Sequence, residues 1–351
     1  MKIITSIKIV VRINIKNKRQ DMIMEKKIRW GILGCGRIAR TFAESLQYVP
    51  DAELAAVASK TPGRAAEFAE IYNVERYYEN YLDLVKDESV DVIYVATTHN
   101  YHYEHTLLCL ENKKPVLCEK PFTVNSKQAE DLIKAARENK VFLMEAMWTR
   151  FLPCIVELNR VLSENVIGDI GLLRADFGFR AKGRNAPKYY FDPNLAGGAL
   201  LDLGVYPVSF SRLVFKKFPV NIKTFGYIDS SKVDEHAAYM FEYEYGKVAM
   251  MASSYSVDIP HDGVICGTEG YIKIPSFSRP TEFSIQLHGQ EEKVVRIPFV
   301  SNGLNYQAQE VNRCLKEGKL ESDIMPLDES LEIMRILDAL RKEWGLKYPI
   351  E

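Results

Sequence analysis

The sequence predicts an α/β protein with two units: a doubly wound parallel sheet, followed by an α+β unit whose open sheet is mainly antiparallel. Three observations support this prediction. Between residues 28 and 146, short apolar runs alternate with stretches of helical periodicity. A glycine-rich turn at residues 34–39 joins the first apolar run to the first helix. After Trp148, strand-like runs follow one another directly, as they do in antiparallel sheets.

The first unit contains apolar runs that are too short for helices and lack polar alternation, which is typical of parallel strands covered on both faces. The predicted strands are 28–33, 54–59, 92–96, 115–118 and 141–145. Helical stretches and short loops separate them, which favours right-handed crossovers. The predicted helices are 38–48, 63–71, 81–86, 103–112 and 126–139.

The second unit begins with a helix at 154–163, a strand at 172–180, an irregular stretch at 181–195 and a helix at 198–215. Turn residues then separate further predicted strands at 222–228, 237–245, 248–255, 263–268, 271–274, 282–287 and 293–297. Two helices, 304–317 and 327–344, close the chain. We therefore place the domain boundary between residues 147 and 148.

Residues 1–25 are predicted to be a poorly ordered extension of the first domain. Lys8 and Arg12 interrupt their apolar run, and no small-residue cleavage site follows, so the segment does not fit a signal peptide. Met22 and Met24 are plausible alternative starts, because the folded pattern begins at about residue 27.

The composition excludes several classes of protein. The 351 residues are 47% hydrophobic and 26% charged with a formal net charge of −1, so neither nucleic acid nor a membrane is a predicted partner. No apolar stretch approaches the length of a membrane span. The six cysteines form no C-x-x-C pair, which argues against a zinc site or a disulfide framework and favours a reducing compartment. We therefore predict a cytoplasmic protein.

The turn at residues 34–39 fits the pattern G-x-G-x-x-A. Its first glycine permits a tight turn, its second lets the backbone approach a pyrophosphate, and its small last residue lets helix and strand pack closely. The pattern is weak alone, but here a strand precedes it and a helix follows it. It predicts a Rossmann domain at 26–147, with cofactor contacts from Gly34, Cys35, Gly36, Arg37, Ile38 and Ala39.

The end of the second strand indicates which cofactor is preferred. NAD-binding Rossmann domains place an acidic residue there to hold the ribose hydroxyls. This chain has Ser59 and Lys60 instead, with Arg64 one turn later. A hydroxyl and two cations suit a 2′-phosphate, so we predict NADP(H), with NAD(H) as the alternative. Arg37 is expected near the adenine or a phosphate. The competing interpretation of Lys60 and Arg64 is a solvated helix start.

Several motifs together resemble the Gfo/Idh/MocA family of NAD(P)-dependent oxidoreductases from about residue 28 to residue 349. They are most similar to its dihydrodiol dehydrogenase and sugar-reductase branch. Thr98 departs from the family pattern, which usually has proline there; this would loosen the loop beneath the nicotinamide but removes no chemical group. The motifs lie at residues 34–39, 96–100, 116–122, 148–150, 197–207 and 325–327.

The resemblance implies that Lys120, Asp202 and Tyr206 are catalytic. Lys120 follows a buried strand at the carboxyl edge of the sheet, where such folds bind ligands. A Lys120 ammonium would lower the pKa of Tyr206 into a range useful for proton transfer. Asp202 would orient the substrate or Lys120. The structural alternatives are a surface lysine, a core tyrosine and a carboxylate at a helix start.

Further residues are predicted to surround the cofactor or the substrate. His99 and His102 are three apart, but no third ligand lies at a workable spacing, so no metal is predicted. Arg150 is assigned to the substrate site, with an interdomain ion pair as the alternative. The added cofactor residues are Thr97, Thr98, His99, His102, Glu119 and Lys120; the substrate residues are Trp148, Arg150, Arg180, Asp202 and Tyr206.

We therefore predict an NADP-dependent enzyme that transfers a hydride between nicotinamide and a hydroxyl/carbonyl pair of a sugar, polyol or cyclic trans-diol. One alternative is a non-catalytic NAD(P)-binding regulator of the same fold. Another is a sugar–sugar oxidoreductase with a tightly bound cofactor. Tyrosines and methionines on the second sheet, among them Met240 and Met250, predict a homodimer or homotetramer formed through that sheet.

Overall fold

The computed structural model describes residues 27–181, 183 and 185–351, so the predictions for residues 1–25 lie outside the described part of the chain. The first sheet has six parallel strands in the order β3-β2-β1-β4-β5-β6. The strand order reverses between β1 and β4, and this opens a crevice at the carboxyl ends of the strands. The strands are β1 (Ile28–Leu33), β2 (Ala52–Ala58), β3 (Arg76–Tyr78), β4 (Val92–Val95), β5 (Val116–Glu119) and β6 (Leu143–Ala146).

Five helices connect these strands and cover the sheet. The buried side of the first helix carries Ala39, Phe42, Ala43 and Leu46 at helical spacing, so its apolar stripe faces the strands. The fifth helix begins after Asn125, whose side chain accepts a hydrogen bond from the amide of Gln128. The helices are α1 (Arg37–Leu46), α2 (Arg64–Tyr72), α3 (Tyr81–Lys86), α4 (His102–Glu111) and α5 (Ser126–Asn139).

The second sheet has eight strands in the order β14-β13-β12-β11-β7-β10-β9-β8. Its strands pair antiparallel, except that β7 and β10 run parallel. Burial alternates along β8 and β9, so one face is covered and the other is open. The strands are β7 (Ile170–Gly178), β8 (Asn221–Ile228), β9 (Asp234–Tyr243), β10 (Lys247–Ser254), β11 (Gly263–Gly267), β12 (Gly270–Ile274), β13 (Glu282–Leu287) and β14 (Lys293–Arg296).

Four helices accompany the second sheet, and the last two also reach the first. They are α6 (Pro153–Ser163), α7 (Val205–Phe215), α8 (Asn305–Lys316) and α9 (Leu327–Trp344). In α8, Asn312 accepts a hydrogen bond from the indole of Trp30 in β1 at 3.1 Å. In α9, Asp338 accepts one from the amide of Ser126 at 2.8 Å, and Trp344 donates one to Thr224 in β8 at 3.0 Å. Helix α9 therefore links α5 of the first domain to the second sheet.

One apolar stretch is as long as a membrane span, contrary to prediction. Residues Pro193–Phe215 are long enough to cross a bilayer, with a mean hydropathy of 1.2 in their most apolar window. However, 89% of that window is buried inside the fold. The stretch is apolar because it packs between the second sheet and the rest of the molecule, as a core helix does.

Candidate active site

A cavity of about 490 Å³ lies at the carboxyl ends of β1, β2, β4 and β5. It extends from Ser59 and Arg64 at one end to Lys120 and Asp202 at the other. Most of the predicted cofactor residues line it: Gly34, Cys35, Gly36, Arg37, Ile38, Ser59, Lys60, Arg64, Thr97, Thr98, His99, His102, Glu119 and Lys120. Ala39 is fully buried beneath the turn instead, where its small side chain permits close packing of α1.

The glycine turn has the backbone that a dinucleotide requires. Gly34 has a φ of +100°, and a Cβ there would lie 3.0 Å from the carbonyl oxygen of Ala96. A Cβ on Gly36 would have only that oxygen within 4 Å, at 3.9 Å, so the backbone before α1 is open. The first amides of α1 point outward from this position. A diphosphate therefore fits against the turn.

Cys35 is a buried structural residue within the same turn. Its thiol lies 3.5 Å from the carbonyl oxygen of Ala58. Burial raises the pKa of Cys35 to about 12. Because the thiolate is the reactive form of cysteine, this thiol is unreactive near neutral pH.

The far end of the cavity carries hydroxyl and cationic groups. The Ser59 hydroxyl accepts a hydrogen bond from the amide of Thr61 at 3.2 Å. Lys60 is exposed and lies 3.8 Å from Glu104, and Arg64 is the exposed first residue of α2. The acidic residues that line this cavity, Glu119 and Asp202, are grouped with Lys120 rather than with Ser59.

Arg37 points away from the Ser59 end and toward the second domain. Its guanidinium donates a hydrogen bond to the hydroxyl of Tyr190 at 3.2 Å. Arg37 also lines a second cavity, described below. Its expected contact near the adenine or a phosphate remains a prediction.

The loop after β4 is held by backbone contacts. Thr98 has a φ of −76°, which is close to the angle that proline imposes, so threonine preserves the backbone expected of the motif. His99 lies 3.0 Å from the carbonyl oxygen of Ala196. His102 lies between two carbonyl oxygens, 2.8 Å from that of Pro121 and 3.1 Å from that of Thr97.

Burial keeps these histidines neutral. It lowers the pKa of His99, and it lowers the pKa of His102 to about 3. A neutral His102 carries one N–H and donates to one of its two carbonyl neighbours at a time. The residues that the structure describes contain no group of three side chains arranged to hold a metal ion.

Glu119 is buried where β5 ends and supports the turn that carries Lys120. One carboxylate oxygen accepts a hydrogen bond from the Lys120 amide at 3.1 Å, and the other accepts one from the Tyr94 hydroxyl. The Lys120–Pro121 peptide bond is cis. Two residues after Lys120, the amide of Phe122 donates a hydrogen bond to the Glu145 carboxylate at 3.1 Å. Both carboxylates therefore fix the backbone on either side of Lys120.

Lys120, Asp202 and Tyr206 meet at one point. The ammonium of Lys120 donates to the Asp202 carboxylate at 2.6 Å and to the Asp202 carbonyl at 2.9 Å. It also lies 5.0 Å from the centre of the Tyr206 ring. Asp202 belongs to a π-helical turn, Leu200–Gly204, and Tyr206 to the start of α7. The hydroxyl of Tyr206 accepts a hydrogen bond from Trp148 at 2.9 Å.

The charges of this group follow from its contacts. Burial disfavours the charged form of Asp202, but the neighbouring Lys120 outweighs it and holds the pKa of Asp202 at about 2. Burial also opposes the charge on Lys120, but Asp202 raises the pKa of Lys120 above its ordinary value. Both groups are therefore charged near neutral pH.

The prediction that Lys120 lowers the pKa of Tyr206 into a working range is not supported. Burial of the phenol raises the pKa of Tyr206 above its ordinary 10.0, and Lys120 opposes that rise only in part. Removing a phenolate from water costs free energy, and this cost outweighs the attraction of the Lys120 ammonium. Tyr206 is therefore a protonated phenol near neutral pH.

A second cavity of about 620 Å³ adjoins the first. Trp148, Arg180 and Tyr206 line it, together with Phe177 and Phe179 on one side. Both cavities share the residues Arg37, Ile38, Thr41, Lys120 and Asp202. The meeting point of Lys120, Asp202 and Tyr206 therefore lies where the two cavities join.

The structure corrects the prediction that Arg150 belongs to the substrate site, because Arg150 lines neither cavity. Its guanidinium donates to the carbonyl oxygen of Ser209 at 2.7 Å and to the Ser209 hydroxyl at 3.0 Å, and it pairs with Glu329. Only 7% of the side chain is exposed. Arg150 does form an ion pair, but it lies within the second domain and not between the domains, since Arg150 connects α7 and α9.

Sequence analysis missed Tyr255, which contacts Asp202, and Tyr190, which stacks on Tyr255. Tyr255 donates a hydrogen bond to the second carboxylate oxygen of Asp202. Tyr190 stacks on Tyr255, with ring centroids 4.7 Å apart. No local motif marks either residue, because their positions depend on how β10 and the irregular stretch pack together.

Comparison with known proteins identifies both parts of the chain. Residues 28–147 match the model of the oxidoreductase family with an NAD-binding Rossmann fold, and residues 155–273 match the GFO/IDH/MocA C-terminal domain. A trans-1,2-dihydrobenzene-1,2-diol dehydrogenase from Xenopus laevis is 39% identical over 337 residues, covering 92% of this chain and 99% of that protein.

Two solved structures share the fold. A 3-ketoreductase from Actinomadura kijaniata in complex with NADP and TDP-benzene is 25% identical, with a TM-score of 0.77 over 90% of this chain and 97% of its own. A levoglucosan dehydrogenase in complex with NADH and levoglucosan is 18% identical, with a TM-score of 0.84 over 91% and 98%. Since the family models cover both parts and the amphibian relative spans nearly the whole chain, the protein belongs to the Gfo/Idh/MocA family of oxidoreductases.

Proposed function

We propose that this enzyme is an NADP-dependent oxidoreductase that interconverts a hydroxyl and a carbonyl group on a sugar, polyol or cyclic trans-diol. The observation that supports it best is the meeting of Lys120, Asp202 and Tyr206 where the two cavities join. The dihydrodiol dehydrogenase relative and the levoglucosan-bound structure support this substrate class.

The nicotinamide cofactor, when bound, supplies or accepts the hydride. The glycine turn and the start of α1 would hold its diphosphate, and the loop after β4 would line the nicotinamide end. Lys120 remains an ammonium because Asp202 lies 2.6 Å away, so it is able to donate a hydrogen bond to the substrate oxygen. Tyr206 keeps its proton near neutral pH and would donate it to the carbonyl oxygen of the substrate.

Preference for NADP(H) is proposed from Ser59, Lys60 and Arg64. Together they place a hydroxyl and two cations at the end of the first cavity, and the acidic residues that line this cavity lie with Lys120. A 2′-phosphate is favoured by such groups, whereas the ribose diol of NAD is recognised through an acid. Among the structural relatives, the 3-ketoreductase was crystallised with NADP and the levoglucosan dehydrogenase with NADH.

A second copy of the chain is the proposed macromolecular partner. The open face of the second sheet carries Phe225 and Met240, which are 69% and 46% exposed, together with Met250. Their strands are adjacent, and Met240 pairs directly with Met250. Exposed apolar side chains on neighbouring strands of one face favour association. A cytoplasmic location is also proposed, because all six cysteines are free thiols.

The function is tested by steady-state kinetics on the purified full chain. Oxidation of NADPH is measured with a panel of sugars, diketones and ortho-quinones, and reduction of NADP is measured with aldoses, polyols and trans-dihydrodiols. We expect turnover with at least one carbonyl/hydroxyl pair, and a slower rate when NADH replaces NADPH. Binding of NADPH without turnover on the whole panel would favour the regulator alternative instead.

A further inference from the structure

The Asp202 carboxylate is held at both of its oxygen atoms. One oxygen accepts the hydrogen bond from Lys120 at 2.6 Å. The other accepts a hydrogen bond from the hydroxyl of Tyr255, which follows β10 in the second domain. Lys120 comes from the first domain, so the carboxylate joins two domains. A carboxylate held at both oxygens has little freedom to rotate.

Tyr255 is itself fixed by its surroundings. Its ring is fully buried, stacks on Tyr190 at 4.7 Å with an interplanar angle of 17°, and meets the edge of Phe179 at 5.4 Å. Its amide donates to the carbonyl oxygen of Glu235, and its carbonyl oxygen accepts from the amide of Ala181, both at 2.8 Å. The hydroxyl therefore has a defined position from which to hold Asp202.

Tyr255 lines neither cavity, and its hydroxyl contacts the Asp202 carboxylate, which belongs to a residue that lines both. The direct contact of this hydroxyl with the site is therefore the one with Asp202. We propose that Tyr255 is a positioning residue: its hydroxyl fixes the Asp202 carboxylate and thereby fixes the Lys120 ammonium opposite the substrate oxygen. This inference rests on the proposed roles of Lys120 and Asp202.

The stack beneath Tyr255 extends this support toward the cofactor side. Tyr190 belongs to the irregular stretch over the second cavity, and its hydroxyl accepts a hydrogen bond from Arg37 at 3.2 Å. Arg37 is the first residue of α1, next to the glycine turn. The contacts Arg37–Tyr190–Tyr255–Asp202 therefore form a continuous series from the turn to Lys120.

The kinetic test is a double-mutant cycle with Tyr255→Phe, Asp202→Asn and the double variant. Tyr255→Phe keeps the ring and its stacking but removes the hydroxyl. We expect kcat to fall about tenfold to a hundredfold, as for loss of a hydrogen bond to a charged group, with KM and the NADPH Kd within about threefold. In the Asp202→Asn background, the same change should lower kcat by less than about twofold, because Tyr255 acts through Asp202.

Tyr243→Phe is the matched control, because it removes another buried phenol hydroxyl from the second domain, in β9. It should leave kcat near the wild-type value. Equal losses from Tyr255→Phe in the wild-type and Asp202→Asn backgrounds would overturn the inference, as would unchanged kcat in the wild-type background. Melting temperature and NADPH affinity verify that each variant is folded.

A second measurement does not require turnover. The groups facing the Lys120 ammonium are Asp202, Tyr206 and Glu119. A loosely held Asp202 would raise the pKa of Lys120 less, so more neutral amine would be present at pH 9. Acylation of Lys120, located by mass spectrometry, should therefore be several-fold faster in Tyr255→Phe than in Tyr243→Phe or wild type. Equal acylation rates would contradict the inference even if the proposed function is correct.

The two proposals fail in different ways. If Lys120→Ala and Tyr206→Phe retain near-normal turnover, the proposed function of these residues is wrong. If both variants are inactive and Tyr255→Phe matches wild type in kcat and in Lys120 acylation, only the role of Tyr255 is wrong.

Discussion

At the residue scale, Lys120 and Tyr206 are adjacent but owe their protonation to different causes. Lys120 is charged because it touches Asp202, whereas Tyr206 is protonated mainly because it is buried. The sequence places Lys120 at the edge of the first sheet and Tyr206 near the start of a helix, since each belongs to a recognisable motif. It does not reveal the burial of Tyr206, because that depends on Trp148 and the second sheet closing over the ring.

Removal of either group tests the proposed proton transfer. Lys120→Ala and Tyr206→Phe should each lower kcat by about 10²–10⁴-fold, the range typical of general acid–base groups. The NADPH Kd should stay within a few-fold, because the glycine turn remains intact. The double variant should be little worse than the poorer single one, since both changes disable the same step. Lys127→Ala, at an exposed lysine of α5, is the control and should behave as wild type.

The raised pKa of Tyr206 predicts how the rate of carbonyl reduction depends on pH. A general acid works in its protonated form, so titration of Tyr206 should not change the rate of carbonyl reduction below the pKa of Tyr206, and the rate should fall as the pH rises through that pKa. Because burial raises this pKa above 10.0, we expect no Tyr206-dependent decrease in kcat/KM between about pH 6 and 9. A decrease centred near pH 7.5 that Tyr206→Phe abolishes would show that the phenol has a lowered pKa.

The proposed preference for NADP(H) depends on another small group of residues. Ser59→Asp should weaken NADPH binding and strengthen NADH binding, because a carboxylate repels the 2′-phosphate and accepts hydrogen bonds from the ribose hydroxyls. The Kd values of both cofactors, measured by fluorescence titration, give the preference. Wild-type protein that binds NADH as tightly as NADPH would contradict the assignment of Ser59, Lys60 and Arg64.

At the element scale, the two glycines of the β1–α1 turn serve different purposes. A Cβ at Gly34 would be strained at φ +100° and crowded by Ala96, whereas a Cβ at Gly36 would meet almost nothing in the protein. Gly34→Ala should therefore cost about 1–2 kcal/mol of stability through the backbone alone. Gly36→Val should leave the melting temperature nearly unchanged but weaken NADPH binding. Equal melting temperatures for Gly34→Ala and wild type would contradict this assignment.

The same scale shows how far local patterns predict the fold. The boundaries of α3, α5, β13 and α9 agree with prediction because each has a clear periodicity and end signals. Strand β3 was missed, since its three residues are largely exposed and gain their partner only by pairing with β2. The π-helical turn at Leu200–Gly204 was predicted as ordinary helix, because sequence periodicity does not report one extra residue in a turn.

At the scale of the whole molecule, the site depends on the way the two units are joined. Lys120 reaches Asp202, Arg37 reaches Tyr190, and helices α8 and α9 contact both parts. Motifs predicted which segments contribute residues to the two cavities. They predicted neither the contact between Tyr255 and Asp202 nor the position of Arg150 outside both cavities. Both depend on packing between elements that are more than 50 residues apart in the chain.

The open face of the second sheet determines the expected assembly. Phe225→Lys combined with Met240→Lys would replace two exposed apolar side chains on adjacent strands by charges, and burying unpaired charges in an interface is costly. We expect wild-type protein to sediment as a dimer or tetramer and the double variant to sediment as a monomer. Val156→Lys with Ile71→Lys, which alters exposed apolar residues on helices, is the control and should leave assembly unchanged. A double variant that retains the wild-type sedimentation coefficient would place the interface elsewhere on the molecule.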